Sequence, residues 1–289
     1  MSNQTSRVEL QTEVQRWWEL CPMTYDWRST NDHDEGTQEW FEEIDRRFFS
    51  EVSSSFAQSH GAKPFSRLIP YNILRGREVL EIGCGSGAHA KLIAESGARL
   101  TAIDLTEKAV ALTRQRLRLY ELAANVLQMD AESLSFPDRS FDFVWSWGVI
   151  HHSANTETII REVARVLRPG GSVGIMVYNW HSIVMILTLI RGLLSGRFLS
   201  HGITETLNHY SDGRVARFFS PREFADFFKT HFENIDISIF GQTNELVPLP
   251  GWWILGKLKA SIADAIPRRL AHRLLSHAGS FLFLTAEKK

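Results

Sequence analysis

Cysteine is nearly absent from this chain: Cys21 and Cys84 are the only two in 289 residues. No disulfide framework can be built from them, and Cys84 lies inside a glycine-rich loop that a disulfide would distort, so the expected compartment is the reducing cytoplasm. The chain also lacks any apolar run of the ~20 residues needed to cross a bilayer. Its opening, MSNQTSRVELQTEVQ, lacks the basic-then-apolar order of a secretory signal. There is no excess of positive charge either: 32 Lys and Arg stand against 33 Asp and Glu, which argues against a nucleic-acid partner. No internal repeat or low-complexity tract is present. Apolar residues, at 44%, are sufficient to fill one core domain of ~200 residues with additions.

The most informative stretch is VLEIGCGSG, residues 79–87, an apolar strand that ends in an acid and breaks into glycines at alternate positions. Gly83, Gly85 and Gly87 lack a Cβ, so the turn into the next helix can adopt conformations closed to other residues and let a ligand lie against backbone. Counted another way, Gly83, Gly85 and Ala88 fit the dinucleotide fingerprint, and read alone this leaves several nucleotide cofactors open. A second strand, 99–103, is closed by Asp104, at the ~20-residue interval where a carboxylate can accept both ribose hydroxyls. A third strand, 125–129, ends in Asp130-Ala131-Glu132. A fourth, 141–147, leads into Gly148-Val149-Ile150-His151-His152. The segment 156–167 has the periodicity of a helix with Ile160, Val163, Ala164 and Leu167 on one face. Pro169-Gly170-Gly171 reads as a turn before a fifth strand that runs to Tyr178.

Together VLEIGCGSG, AIDLT, QMDAESLSFPDRSFDFVWSWGVIHH and EVARVLRPGG resemble the class I S-adenosylmethionine-dependent methyltransferases, over residues 77–178. The likeness is to the subgroup holding ubiquinone, menaquinone and natural-product methyltransferases. It implies an α/β fold with a Rossmann-like, seven-stranded, mostly parallel sheet and flanking helices, and S-adenosyl-L-methionine as cofactor. It further implies that Glu81 orients the methionine end and that the loop of Gly83, Cys84, Gly85 and Gly87 touches the amino acid portion. Asp104 would bind the ribose with Leu105 against the adenine, and Asp130, Ala131 and Glu132 would lie at the adenine edge. Ser146 and Trp147 would stand near the reactive sulfonium, where a Trp face can stabilise a cation.

His151 and His152 are candidate catalytic bases, since a neutral imidazole near pH 7 can take a hydroxyl or carboxyl proton. Capping of the strand end by hydrogen bonds to backbone is the alternative role. Tyr25, Tyr178, His181, His209 and Tyr210 are further polar groups expected near an acceptor site. Catechol-type relatives hold a divalent metal with carboxylates after strands four and five; here those places read Ser146-Trp147-Gly148 and Tyr178-Asn179-Trp180, so no metal is expected. The Asp/Asn-Pro-Pro-aromatic tetrapeptide of DNA amino-methyltransferases is also missing. The expected partner is therefore a small-molecule acceptor, apolar or aromatic, methylated on oxygen or carbon. Alternatives are carboxyl or nitrogen methylation of a small molecule or peptide, and a non-catalytic cofactor-binding protein. An NAD-dependent oxidoreductase is disfavoured by the Asp130-Ala131-Glu132 triplet and the paired histidines.

The expected organisation is an N-terminal helical cap (1–70), the cofactor-binding core (71–180), a helical insertion on the acceptor side (181–219), and the end of the sheet (220–289) with inserted helices at 244–278. Residues 38–56 carry Phe41, Ile44, Phe48 and Val52 at helical spacing, and this helix would carry the N-terminal segment over the cofactor. Ser220-Pro221-Arg222-Glu223 has the signature of a capped helix start. The antiparallel pair 233–240 and 280–286 should end the sheet. Within 182–194, Ile183, Ile186, Leu187, Ile190, Leu193 and Leu194 form one apolar stripe. Four roles are open to it: core, a homodimer contact, the wall of a pocket for an oily acceptor, or a patch that touches membrane. The run 248–255 with Lys257, Lys259, Arg268, Arg269 and Arg273 raises the membrane question again. Both insertions are expected to form the wall and lid of a largely apolar acceptor pocket. Residues 1–60 carry a net −7 and residues 251–289 a net +5, which reads first as solvated surfaces that differ in charge and alternatively as an acidic cap docked on the basic end.

Overall fold

A computed structural model describes residues 2–25, 30–53, 56–57, 62–247 and 253–289. Eight strands are present among them: β1 (Glu78–Ile82), β2 (Arg99–Asp104), β3 (Asn125–Gln128), β4 (Phe141–Trp147), β5 (Leu167–Asn179), β6 (Phe218–Phe219), β7 (Phe232–Phe240) and β8 (Phe281–Lys288). The helices are α1 (Ser2–Leu20), α2 (Gln38–Asp45), α3 (Ala88–Glu95), α4 (Glu107–Leu119), α5 (Thr156–Val166), α6 (Ile183–Leu194), α7 (Arg197–His209), α8 (Pro221–Phe228), α9 (Trp253–Ala265) and α10 (Arg268–Ala278).

The strands form one sheet in the order β3-β2-β1-β4-β5-β8-β7, parallel except for β8. The expected seven strands are all there. The eighth, β6, is a two-residue strand paired in parallel with Tyr178 and Asn179 of β5, too short to leave a sequence signal. Both faces of the sheet are covered, which is why the strands read as continuous apolar runs. Along β1 and β4, Val79, Phe143 and Trp145 enter one core with Ala90 and Ile93 of α3. The alternate residues Leu80, Ile82 and Val144 enter the other, with Ile160 of α5 and Phe224 of α8. The strand order reverses between β1 and β4, and the carboxyl ends of β1, β2, β3 and β4 there frame a crevice.

Three local expectations change form. Pro169-Gly170-Gly171 is not a turn between helix and strand but lies inside β5. Phe141 pairs with Leu167 and Phe143 with Ser172, so residues 168–171 bulge opposite the single residue Asp142. Gly170, at φ 75°, supplies the backbone that such a bulge requires. The helix of 38–56 is α-helical only to Asp45 and continues as a π-helix, Arg46–Val52, whose wider turn buries both Phe48 and Phe49. The acidic cap meets the middle of the chain through ion pairs from Glu35 to Lys108, Asp45 to Arg116 and Glu13 to Arg214, and it meets the C-terminal segment through rings, Phe56 lying 5.7 Å from Phe281. The Ser220 start of α8 has the expected capping box and proline.

Arg116 joins the cap to the core. Fully buried, it pairs with Asp45 at 2.8 Å, donates to the Phe41 carbonyl at 3.1 Å and stacks its guanidinium 4.5 Å from the Phe41 ring. Removing one partner of a buried pair leaves the other charge uncompensated. Arg116→Ala is therefore expected to lower the unfolding free energy by about 3 kcal/mol or more in urea titration. Loss of less than ~1 kcal/mol would mean that this clamp does not hold the cap.

Candidate active site

The glycine loop forms because its amides are tied to the neighbouring strand. Gly83 and Cys84 both donate to the Ile103 carbonyl, at 2.8 and 3.0 Å, and Gly85 donates to Asp104 Oδ2 at 3.0 Å. All three loop glycines have positive φ: 78° at Gly83, 54° at Gly85 and 81° at Gly87. A Cβ at Gly83 would stand 2.2 Å from Val149 Cγ2, whereas one at Gly85 would meet nothing within 4 Å. Gly83 is thus required by packing, and Gly85 leaves its backbone open to a ligand. Gly87 is the left-handed residue from which α3 starts.

Asp104 holds the loop from below. Its Oδ1 accepts from Thr106 N at 3.0 Å and Thr106 Oγ1 at 2.9 Å. Asp130, past the end of β3, accepts through Oδ1 from Glu132 N at 2.9 Å and from Gln11 Nε2 at 3.0 Å. Burial pushes the carboxyls of Asp104 and Asp130 above their ordinary range. Glu81 is pushed well up by burial and then by the nearby Asp104 charge, and its Oε2 is buried without a hydrogen bond. Three desolvated acids therefore face one crevice, an environment that favours a ligand carrying positive charge.

All three line a single cavity of ≈ 440 Å³, together with Gly83, Cys84, Gly85, Leu105, Ala131 and Trp147. The remaining expected cofactor residues stand behind it. Ser146 is fully buried and donates to the Ile82 carbonyl at 3.2 Å, joining β4 to β1. Glu132 accepts from Arg7 at 2.5 Å, from Asn155 N at 2.6 Å and from Ser153 Oγ. Burial raises the Cys84 thiol well above its ordinary value.

A feature absent from the sequence reading closes the cavity from above. On α1, residues four apart reach the strand ends one after another: Arg7 to Glu132, Gln11 to Asp130, Gln15 to the Leu105 carbonyl at 3.0 Å, and Glu19 to the Glu107 and Lys108 amides at 3.0 Å each. Val14 and Trp18, on an adjoining face, line the cavity. The available signal was this spacing of four, which on its own resembles a solvated helix face.

The far half of the cavity is built by β5 and the insertions. Met176, Tyr178, Met185, Phe218 and Phe281 give it apolar and aromatic walls, and His152, Tyr25, Tyr210, Asp212 and Gln242 give it polar ones. The lining is largely apolar, as expected, with these polar groups set into it. Of the flanking polar candidates, Tyr25, Tyr178 and Tyr210 line the cavity and His181 and His209 do not. Burial raises the Asp212 carboxyl, and Tyr178 O–H donates to its Oδ2 at 3.4 Å. Asp212 carries no motif and could not be singled out from sequence. The turn 248–252 lies outside the described residues.

The α6 stripe is rotated from its expected place. Val184, Met185 and Thr188 line the cavity, whereas Ile186, Ile190, Leu193 and Leu194 are exposed.

The paired histidines part company. His152 lines the cavity, its Nδ1 2.6 Å from the Val215 carbonyl and its ring edge-on to Trp18 at 5.1 Å. Donation from Nδ1 to that carbonyl leaves Nε2 as an acceptor. Burial lowers its pKa to about 4, so it is neutral at physiological pH. His151 is fully buried, packed 4.0 Å from the Tyr178 ring, with neither ring nitrogen hydrogen-bonded, and is not among the cavity-lining residues. Arg217 fixes the segment: its N–H donates to the His151 carbonyl at 3.0 Å and its guanidinium to the Ser153 and Ala154 carbonyls.

A Rossmann-like sheet with a glycine turn at its switch point and an acid closing the second strand is the frame of a nucleotide-cofactor site. The methyltransferase domain family model matches residues 80–175, so this stretch carries a methyltransferase domain of the class I S-adenosylmethionine-dependent type. The chain is 33% identical over 138 residues to the 27-O-demethylrifamycin SV methyltransferase of Amycolatopsis mediterranei, covering 46% of this chain and 50% of that one. It is 30% identical over 185 residues to the ubiquinone biosynthesis O-methyltransferase of Methylocella silvestris, covering 63% and 66%. The chain thus spans about half to two thirds of the length of these curated relatives. Among solved structures, the PH0226 protein from Pyrococcus horikoshii shares the fold, with a TM-score of 0.53, 15% identity and coverage of 89% of this chain and 94% of that one.

His151 generates a prediction with a definite sign. Burial, then the charges of His152 and Arg217, hold its pKa well below the ordinary 6.5. The unfolded chain therefore binds a proton that the folded chain refuses. This contribution is fully present above pH 6.5 and is lost as pH falls from there, at ~1.4 kcal/mol per pH unit. His151→Phe should leave stability at pH 7 unchanged or higher and should flatten the loss between pH 6.5 and 4.5 by about one proton. Denaturant titrations of both proteins across that range measure it, and parallel curves would show that His151 does not titrate on unfolding.

Proposed function

We propose that this enzyme transfers a methyl group from S-adenosylmethionine to an oxygen of a small, apolar or aromatic metabolite. The observation that carries the reading is the single cavity, with desolvated acids and an open glycine backbone at one end and an aromatic wall with Tyr178, His152 and Asp212 at the other. The two relatives, a 27-O-demethylrifamycin SV methyltransferase and a ubiquinone biosynthesis O-methyltransferase, agree with it. The two free cysteines agree with a cytoplasmic location.

The residues present fit the cofactor. The Gly83–Gly85 backbone and Glu81 would hold its amino acid end, Asp104 its ribose, and Asp130 with Leu105 and Ala131 its base. When bound, the cofactor supplies an electrophilic methyl group on a sulfonium. The chain's own contribution is to orient the acceptor, exclude water and take up a proton. Met176, Phe218 and Phe281 clamp an apolar body, which restricts it to orientations that face Trp147. His152 Nε2 is left to accept a hydrogen bond from a second polar group of the acceptor, and the acceptor hydroxyl faces Asp212. Asp212, made more basic by burial and tied to Tyr178, receives the proton. His151 supports the site by packing under Tyr178.

The cofactor half predicts that Asp104→Ala weakens S-adenosylhomocysteine binding by roughly 10- to 100-fold, the loss of a charge-assisted contact and of the loop's anchor. Calorimetry reads this directly; unchanged affinity, or a wild-type preference for NAD, would overturn the assignment.

The acceptor half predicts that Asp212→Asn lowers kcat by ~10²-fold with cofactor affinity kept. Because the raised Asp212 pKa must be exceeded for the base to be free, kcat should fall as pH drops through a value above the ordinary carboxylate range. His152, neutral down to about pH 4, adds no limb of its own near 6.5. A His-like limb abolished by His152→Gln would transfer the base role to His152.

A further inference from the structure

The molecule presents two unlike surfaces. Over the cofactor side lies α1, in a cap with a net −7 across residues 1–60. On the acceptor side α6 and α7 expose Ile186, Ile190, Leu193, Leu194, Leu199 and Ile203, with Leu194 and Leu199 at 82% and 95%. Isolated exposed apolar residues are ordinary, but a contiguous group of this kind marks a surface that something covers.

The group does not stop at α7. Both α6 and α9 pack on the short 3₁₀ turn Thr243–Leu246, and α10 packs there too. On α9, Leu258 and Ile262 are exposed at i and i+4, and on α10 so are Leu270 and Leu274. Each of these helices thus turns one face inward and one apolar strip outward. None is long and apolar enough to cross a membrane, so they can only lie along a surface.

Charge identifies what covers them. Among the described side chains of these helices, the exposed cations Arg191, Arg269 and Arg273 stand against one exposed acid, Glu205. Arg269 and Arg273 are exposed on α10, beside Leu270 and Leu274. A second copy of this chain laid face to face would set these cations against their own kind, whereas an anionic lipid surface neutralises them and takes up the apolar strips.

The same helix also walls the cavity. Val184, which lines the cavity, is itself 41% exposed, and only the thickness of α6 separates the cavity from the outer strip. We infer that the α6–α7–α9–α10 face docks on an anionic bilayer surface and admits a lipophilic acceptor to the cavity past Val184. Docking stands on this face alone; delivery of the acceptor rests on the proposed function.

The test is flotation of the full chain with vesicles of phosphatidylcholine, and with vesicles containing about 30 mol% phosphatidylglycerol. No acceptor or cofactor is added, so the outcome is independent of the methyl-transfer reading. The expected result is binding to the anionic vesicles roughly tenfold or more tighter than to the neutral ones. Leu193→Asp/Leu194→Asp and Arg269→Glu/Arg273→Glu should each weaken it by roughly tenfold or more. Both pairs are at exposed positions, and the thermal shift given by S-adenosylhomocysteine serves as the control for folding. No flotation with anionic vesicles, or flotation insensitive to both variants, overturns the proposal. So does light scattering that finds a dimer which Leu193→Asp splits, since the face would then be covered by a second copy.

Discussion

The Gly83 and Cys84 amides share the Ile103 carbonyl and the Gly85 amide takes Asp104, so the first loop of the sheet is sewn to the end of its neighbouring strand. That arrangement demands left-handed backbone at three alternate positions, and a side chain at Gly83 would strike Val149. Asp104 consequently serves two structures at once, the loop above it and the Thr106 start of α4 beside it. A carboxylate with several backbone and hydroxyl donors is normally driven to a low pKa; here burial wins and the group is held up instead. The turn is therefore fixed by hydrogen bonds while its carboxylate stands desolvated at the crevice, an arrangement that can hold a positively charged ligand without reorganising.

Over that turn α1 is held by polar side chains as well as by Val14 and Trp18, which face the cavity. The α1 residues four apart do not simply cover the strand ends; they complete hydrogen bonds that those ends leave open, at Asp130, at the Leu105 carbonyl and at the first amides of α4. Gln11 also accepts from the Ala154 amide, so one side chain joins the loop after β3 to the loop after β4. A lid held this way is stabilised by the same groups that a ligand approaches, which couples closure of the helix to order at the strand ends.

How much of this was legible follows from what each element had to advertise. The sheet core was readable because strands buried on both faces cannot avoid long apolar runs, and because glycine turns occur where no other residue fits. The α8 start was readable because capping is local. By contrast, β6 spans two residues, and the 168–171 bulge is spelled with the same proline and glycines as a turn. For α1 the polar stripe that grips the site looks, in sequence, like a face turned to water. Periodicity correctly made 183–194 a helix, but periodicity says nothing about which strip of an all-round apolar helix is covered, and the side that meets the cavity is Val184, Met185 and Thr188 rather than the strip through Ile186 and Ile190. Asp212 was invisible because its chemistry comes from being buried beside Tyr178, a relation made by the fold between residues 34 apart.

The two halves of the cavity differ in how they are made, and this bears on what can vary. At the proposed cofactor end the groups are backbone amides and residues at the ends of β1, β2 and β3, and β1 and β2 are held by a ladder on either side, so a substitution there is transmitted to the sheet. At the acceptor end Met176, Tyr178, Phe218 and Phe281 come from the sheet, and further contacts come from α6, from the segment around Asp212 and from the 3₁₀ turn at Thr243–Leu246, which pack on the sheet without forming part of it. Changes of size or polarity at Val184 or Met185 can reshape the acceptor site at the cost of local repacking only. The same scaffold can then hold one cofactor while the helices inserted after β5 and β7 decide what is brought to it, and their outward faces decide from where.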